Sequence, residues 1–110
     1  MKKILLLGGS TQQIPAIEYA KKQGYYTILC DYLSDNPGQE YSDEFYCTST
    51  TDREAIFEVA QKENVDGIVA YASDPAAPTA AYVAESGICE SIEFSIEIES
   101  IVLRRSSITN

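Results

Sequence analysis

The sequence contains no histidine among its 110 residues, and only eight Lys and Arg against seventeen Asp and Glu. Without His, the chain cannot form a Ser-His or Cys-His nucleophile pair, and it lacks the usual ligand of catalytic zinc sites. The net charge of −9 argues against nucleic acid and anionic membranes as partners, because phosphate-rich surfaces bind to basic faces. Small-ligand binding through backbone amides and chemistry by carboxylates remain open.

Cysteine is scarce, and long apolar runs are absent. The three cysteines include no C-x-x-C pair, so neither a zinc knuckle nor a disulfide framework is indicated. Cys30 lies in an apolar run and Cys47 beside aromatic residues, so both are predicted to be buried thiols in a reducing compartment.

The run Ile4–Leu7 is too short for a signal peptide, and no window approaches the roughly 20 apolar residues of a membrane span. We therefore expect a cytoplasmic protein without a membrane partner.

The length of the chain suits one domain. With 45% hydrophobic residues, 110 residues supply one core but not two. Most enzymes that bind a nucleotide and a second substrate are larger. The sequence therefore predicts a domain, or part of an enzyme, rather than a complete catalyst.

Strand and helix periodicities alternate along the first three-quarters of the chain. Strands are predicted at Lys2–Leu7, Tyr26–Cys30, Glu44–Cys47 and Gly67–Tyr71, and helices follow the first, third and fourth of them. Buried strands joined by helices are typical of a parallel sheet covered on both faces. Right-handed crossovers place the first strand centrally. The predicted fold class is α/β, a Rossmann-like three-layer parallel sheet with strand order 3-2-1-4.

Two connections have distinct compositions. The segment Tyr32–Glu44 collects Ser, Asp, Asn, Pro and Gly and is predicted to be entirely loop. Thr51-x-x-Glu54 is a capping-box pattern and predicts that Thr51 caps the second helix.

The C-terminal tail follows a different pattern. Ile92, Phe94, Ile96 and Ile98 alternate with polar residues, which predicts an amphipathic strand that lies at a sheet edge or is exchanged with a partner. The chain is therefore divided into a domain of residues 1–87 and an atypical tail of residues 88–110. Pairing of the tail strand with a second copy predicts a homodimer. Residues 104–110 are predicted to be a frayed polar end.

A glycine-rich turn is the sharpest local feature. Gly8, Gly9, Ser10 and Thr11 join the first strand to the first helix, where backbone N–H groups and the helix dipole favour a phosphate or carboxylate. A tight turn with a capping hydroxyl and no ligand is the alternative. The motif is neither G-x-G-x-x-G nor a P-loop, because Gln12 and Gln13 occupy the later positions and no Lys follows.

Polar residues also follow the second and fourth strands. Asp31 lies about twenty residues after the glycine turn, where it would bind a ribose, orient the next loop or remain solvated. Ser73 and Asp74 follow the fourth strand, where they would bind a ligand in the crevice, cap the third helix, or do both. The carboxylates of the loop Asp35–Glu44 do not match an EF-hand. We therefore predict no metal site and no catalytic residue.

Two segments resemble a known family. The runs KKILLLGGSTQQIPAIEYAKKQGYYTILCDYLSDNPGQEYSDEFY and VDGIVAYASDPAAPTAAYVAE resemble the N-terminal, pre-ATP-grasp domain of ATP-grasp ligases. The branch includes phosphoribosyl-aminoimidazole carboxylases, glycinamide ribonucleotide synthetases and carbamoyl-phosphate synthase large subunits. The similarity covers Met1 to about Glu85 and rests on the GG turn, the D-x-x-x-D-N-P-G loop and SDP-x-x-P.

This resemblance implies a function. It implies that the chain is the substrate-binding domain of a carboxylate-amine or ammonia ligase. The implied ligand is a small phosphorylated or carboxylated metabolite. The positions that match the family, and would hold this ligand, are Gly8, Gly9, Ser10, Thr11, Asp31 and Asp74. No cofactor is expected in this chain, because the family binds ATP and magnesium in the region that follows. After Glu85 the chain departs from the family pattern, so we expect a truncated or altered C-terminus. A Rossmann-type dinucleotide-binding fragment and a non-catalytic oligomerisation module are the alternatives.

Overall fold

A computed structural model of the protein describes residues 2–97 and 100–105. Its strands are β1 (Lys3–Leu7), β2 (Tyr26–Asp31), β3 (Glu44–Cys47), β4 (Gly67–Val69), β5 (Glu90–Glu97) and β6 (Ser100–Arg105). Its α-helices are α1 (Ile14–Lys22), α2 (Arg53–Glu63) and α3 (Ala77–Glu85). Short 3-10 turns occupy Thr11–Gln13, Pro37–Tyr41 and Asp74–Ala76. Every strand and helix predicted from periodicity is confirmed, although β4 ends earlier than predicted.

The strands form one sheet in the order β3-β2-β1-β4-β5-β6. The first five strands are parallel, and β6 runs antiparallel to β5. In the centre, Leu5 of β1 lies between Ile28 of β2 and Ile68 of β4. The predicted α/β class and the order 3-2-1-4 are therefore confirmed, and the short buried strands match the apolar runs that predicted them.

Alternate residues of β1 face opposite layers of the molecule. Leu5 and Leu7 are buried with Ile28 against α2 and α3. Ile4 and Leu6 are buried against α1 on the opposite face. Because successive strand residues point to opposite faces, the continuous run KILLL fills two cores at once. This arrangement gives the three layers expected of the fold.

The tail supplies two strands where the sequence predicted one. β5 adds to the sheet beside β4, with Gly67 opposite Glu90, and β6 forms the C-terminal edge. The first two residues of the predicted polar end, residues 104–105, belong to β6. Residues 98–99 and 106–110, on which the remainder of the tail predictions fall, lie outside the described residues.

Three local predictions are wrong. The side chain of Asp52, rather than that of Thr51, caps α2 by accepting a hydrogen bond from the Ala55 N–H at 3.2 Å, because it stands immediately before the first helical turn. The loop after β2 contains the 3-10 turn Pro37–Tyr41, which begins at a capping Asn36. Cys47 is exposed because it ends β3, an outer strand, whereas Cys30 is buried as predicted. In the described part of the chain, no helix is both long and apolar enough to cross a membrane.

Candidate functional site

A cleft opens where β2, β3 and β4 end. It has a volume of about 410 Å³ and is lined by Asp31, Tyr32, Ser49, Thr50, Thr51, Ser73 and Pro75. Asp31 is the last residue of β2, and the other lining residues come from the segments that follow β2, β3 and β4. Ligands of open parallel α/β sheets bind outside the carboxyl ends of the strands, so this cleft is the candidate functional site.

Asp31 lies at the base of the cleft and is 8% exposed. Its Oδ2 accepts a hydrogen bond from the Gly9 N–H at 2.7 Å, and its Oδ1 accepts one from the Leu33 N–H at 2.9 Å. Of the three roles open to it from the sequence, the structure therefore shows loop orientation. A carboxylate oxygen accepts more than one hydrogen bond, so contact with a ligand hydroxyl is compatible with this role.

The glycine turn lies beside the cleft, and its residues are not among those that line it. The Gly8 N–H donates to the Cys30 carbonyl at 2.8 Å, and the Ser10 N–H donates to the side-chain oxygen of Gln13 at 2.9 Å. Together with the Gly9 bond to Asp31, three successive donors are engaged within the chain. An anion would bind them only by displacing these acceptors. Ser10 and Thr11 are exposed residues, and the Ser10 hydroxyl also donates to the side-chain oxygen of Gln13.

Ser73 and Asp74 both follow β4, but of the two only Ser73 lines the cleft. Ser73 occupies the N-cap position of the turn Asp74–Ala76, but its side chain makes no capping hydrogen bond. The Ser73 hydroxyl is therefore free of the capping role and borders the cleft. Asp74 is exposed at the start of the turn and is not among the lining residues.

Several lining residues were not found from the sequence. Ser49, Thr50 and Thr51 follow β3 and bring three hydroxyls, and Tyr32, which is 67% exposed, stands at the mouth. The Ser49 and Thr51 hydroxyl oxygens lie 3.0 Å apart and share a hydrogen bond. A run of four hydroxyl residues after a predicted strand was the available signal, but it also suits a simple turn.

The chemistry of the cleft is that of a polar binding site. Its lining residues carry hydroxyls and one carboxylate, but no Lys or Arg. Within the ranges that the structure describes, no three His, Cys, Asp or Glu side chains come together to hold a metal ion. The nearby Cys30 thiol is no nucleophile, because burial and then the charge of Asp31 raise its pKa to about 12. Neutral hydrogen-bond donors and acceptors dominate this surface.

Comparison with known proteins relates the chain to several enzymes. No family model matches the chain. The formate-dependent phosphoribosylglycinamide formyltransferase of Bacteroides thetaiotaomicron is 36% identical over 69 residues, which are 63% of this chain and 18% of that protein. The chain thus spans about a fifth of the length of this curated relative.

Solved structures show the same fold. Phosphoribosylglycinamide synthetase from Anaerococcus prevotii superposes with a TM-score of 0.71 at 21% identity, covering 78% of this chain and 22% of that one. N5-carboxyaminoimidazole ribonucleotide synthetase from Thermotoga maritima gives 0.67 at 24% identity, covering 82% and 25%.

These relatives are ATP-grasp ligases, matched over part of their N-terminal region. The resemblance to the pre-ATP-grasp domain of such ligases is confirmed by both sequence and fold.

Proposed function

We propose that the chain is the substrate-binding N-terminal domain of an ATP-grasp carboxylate-amine or ammonia ligase, and that its cleft binds a small phosphorylated or carboxylated metabolite. The observation that carries the proposal is the position of the cleft at the carboxyl ends of β2, β3 and β4, in a chain related to such ligases. The whole enzyme's reaction would then be carried out together with other domains.

The names of the relatives supply a specific ligand class. Two of them contain phosphoribosylglycinamide, a compound with an amine, a ribose and a phosphate. The hydroxyls of Ser49, Thr50 and Ser73 and the carboxylate of Asp31 match the hydrogen-bonding groups of a ribose and an amine. With no Lys or Arg in the lining, we expect the ribosyl-amine end of the ligand, rather than its phosphate, to occupy the cleft.

ATP and magnesium belong to the proposed parent enzyme rather than to this chain. The described residues do not fit magnesium, since no cluster of acidic ligands is formed among them. They do not fit the triphosphate either, because no cation lines the cleft and the Gly8, Gly9 and Ser10 N–H groups already have acceptors. We therefore expect the isolated chain to bind its substrate without consuming ATP.

Titration of the ¹⁵N-labelled chain with phosphoribosylglycinamide tests the proposal. We expect saturable shifts at Ser49–Thr51 and Ser73, with a dissociation constant of roughly 1 mM, since few of the donors that a complete enzyme offers are present. Thr50→Val and Ser73→Ala should each weaken binding about threefold to tenfold, whereas Ser34→Ala, on a loop outside the lining, should not. Absence of shifts at the cleft contradicts the proposal. Saturable binding of NADH that is lost in Asp31→Ala would instead favour the dinucleotide alternative.

We also propose that the tail assembles the chain into a homodimer. β6 is the outer strand of the described sheet, and an outer strand presents a row of backbone groups to a second chain. Light scattering of the 12.1 kDa chain should then give twice this mass. Val102→Pro and Leu103→Pro remove N–H groups that point to opposite sides of β6, so one of them should yield a monomer. A dimer retained by both variants excludes β6 as the interface.

A further inference from the structure

The side chain of Gln13 uses its whole amide within the protein. Gln13 is 6% exposed, although it lies in the short turn Thr11–Gln13 between β1 and α1. Its Nε2 donates to the carbonyl oxygens of Tyr71 at 3.1 Å and Ala72 at 2.9 Å. Its Oε1 accepts from the Ser10 N–H at 2.9 Å and from the Ser10 hydroxyl. Two donors and two acceptor positions are therefore satisfied.

The oxygen end of this amide lies against the glycine turn. A Cβ built on Gly8 would lie 3.2 Å from Cδ and Oε1 of Gln13, and Gly8 has a φ of +105°. Only glycine combines this backbone conformation with such a close neighbour. In an anion-binding turn the ligand accepts from the free N–H groups, whereas here a side-chain oxygen of the same chain accepts from Ser10.

The nitrogen end of the amide holds the segment that enters the cleft. Ala72 has a φ of +53°, a left-handed conformation that strains a non-glycine residue. Both bonds from Nε2 end on this segment, at Tyr71 and Ala72, directly before Ser73. Ser73 and Pro75 then line the cleft. One side chain thus connects the turn after β1 to the strained loop after β4.

We propose that Gln13 is a positioning residue: its amide holds the loop after β4 against the glycine turn, and thereby places Ser73 and Pro75 at the cleft. The effect on ligand affinity rests on the proposed function, whereas the effect on the loop does not.

Gln13→Glu tests the proposal with Gln12→Glu as its matched control. Gln12 is the exposed neighbour of Gln13, so both variants add the same charge one residue apart. At position 13, one oxygen of the introduced carboxylate keeps the Ser10 N–H and hydroxyl as donors, which favour its ionised form. The other oxygen replaces Nε2 and, when ionised, has no proton to donate to the two carbonyl oxygens that it faces. Burial and these oxygens favour its protonated form and raise its pKa, so the disturbance should grow as the pH rises through that pKa.

The measurement is amide hydrogen exchange, with the Ala76 N–H, which donates to the Ser73 carbonyl at 3.1 Å, as the reporter of the loop. At pH 8 we expect protection of Ala76 to fall about tenfold in Gln13→Glu and to recover towards pH 5, while Leu5 in β1 keeps its protection. Gln12→Glu should show neither change. Gln13→Met, which retains the volume but loses the hydrogen bonds, should show the loss without the recovery.

The outcomes separate this proposal from the proposed function. Protection at Ala76 that stays at the control level in Gln13→Glu and Gln13→Met overturns the positioning role. An equal loss at Ala76 and Leu5 also overturns it, because Gln13 would then act only on global stability. In the wild type, failure to bind phosphoribosylglycinamide contradicts the proposed function alone. If the probe binds, its affinity should fall about tenfold in Gln13→Glu at pH 8 and remain unchanged in Gln12→Glu.

Discussion

The carboxylate of Asp31 accepts a hydrogen bond of 2.7 Å from the backbone N–H of Gly9, which precedes it by 22 residues. Gly9 and Asp31 lie where the neighbouring parallel strands β1 and β2 end. The second oxygen of the same carboxylate binds the Leu33 N–H, at the start of the next loop. Asp31 therefore sets the relative position of two loops beside the cleft.

Asp31→Ala should lower the free energy of unfolding by about 1–3 kcal/mol, because it leaves the buried Gly9 N–H without an acceptor. Urea unfolding at pH 7 measures the change. Asp35→Ala, on the exposed part of the same loop, is the control and should stay within about 0.5 kcal/mol of the wild type. Equal stabilities of the two variants would refute a structural role for the Asp31 carboxylate.

Gly38→Ala should destabilise the protein by about 1–3 kcal/mol, because the loop after β2 packs closely on the glycine turn. A Cβ at Gly38 would lie 2.8 Å from both Cα and O of Gly9, and the Gly38 N–H donates to that same oxygen at 2.7 Å. These are backbone atoms, which cannot move aside as the end of a flexible side chain could. Thermal unfolding tests this prediction, with Glu40→Ala in the same 3-10 turn expected to change little.

Tyr46→Phe should reduce stability at pH 7 by on the order of 1 kcal/mol, the contribution of one hydrogen bond. The Tyr46 hydroxyl donates to the Glu63 carboxylate and lowers the pKa of Glu63, and Lys3, 3.4 Å away, lowers it further. The same bond raises the pKa of Tyr46 to about 12. A carboxyl whose pKa is lowered by folding stabilises the protein above its unfolded pKa, and this contribution is lost as the pH falls through the folded value.

The difference in the free energy of unfolding between the wild type and Tyr46→Phe should therefore become smaller below about pH 4, because the Glu63 carboxyl is then protonated. Urea unfolding at pH 7 and pH 3.5 measures this, and NMR titration should show a higher Glu63 pKa in the variant. Tyr82→Phe is the matched control, because the Tyr82 hydroxyl donates to Glu54, which lies in α2 like Glu63. This hydrogen bond is exposed, so its loss should lower the free energy of unfolding less. If the difference in unfolding free energy were the same at pH 7 and pH 3.5, it would contradict a stabilising hydrogen bond from Tyr46 to the ionised Glu63.

The three thiols should react with iodoacetamide in the order Cys47, Cys89, Cys30. Cys47 is exposed, whereas burial raises the pKa of Cys89 to about 11 and that of Cys30 to about 12. The reacting species is the thiolate, so a raised pKa and poor access both slow alkylation. Mass spectrometry of peptides after timed labelling gives the order. Cys47→Ser should remove the fast phase, and in denaturant the remaining thiols should react at similar rates; rapid labelling of native Cys30 would disagree with its burial.

Much of the fold follows from local pattern. The run KILLL predicts a strand buried on both faces, and its residues do fill the cores above and below the sheet. The stripe of Ile56, Val59 and Ala60 predicts the buried face of α2. Handedness then restricts the order of the strands, so 3-2-1-4 could be predicted without knowledge of any contact. The cap of α2 could not, because Thr51 and Asp52 are both good capping residues and geometry selects between them.

The site was harder to predict than the fold. Asp31 and Ser73 were predicted because they directly follow strands, and both line the cleft. The hydroxyls of Ser49–Thr51 were missed, since a polar run after a strand is typical of any turn. For the glycine turn, the sequence indicated donors but not their acceptors. The acceptors come from Cys30, Asp31 and Gln13, and which of them reach the turn depends on how the loops pack.

The sequence by itself determined the class of fold, the central position of β1 and the lack of His-based chemistry, because these depend on composition, periodicity and chain handedness. Only the tertiary structure decided which polar groups meet at the carboxyl ends of the strands. The Asp31 carboxylate accepts a hydrogen bond from the Gly9 N–H. The Gln13 amide donates to the carbonyls of Tyr71 and Ala72, which lie 58 and 59 residues further along the chain. Such bonds join groups that are remote in the chain and whose directions are set by the packing of two loops, so no local pattern encodes them.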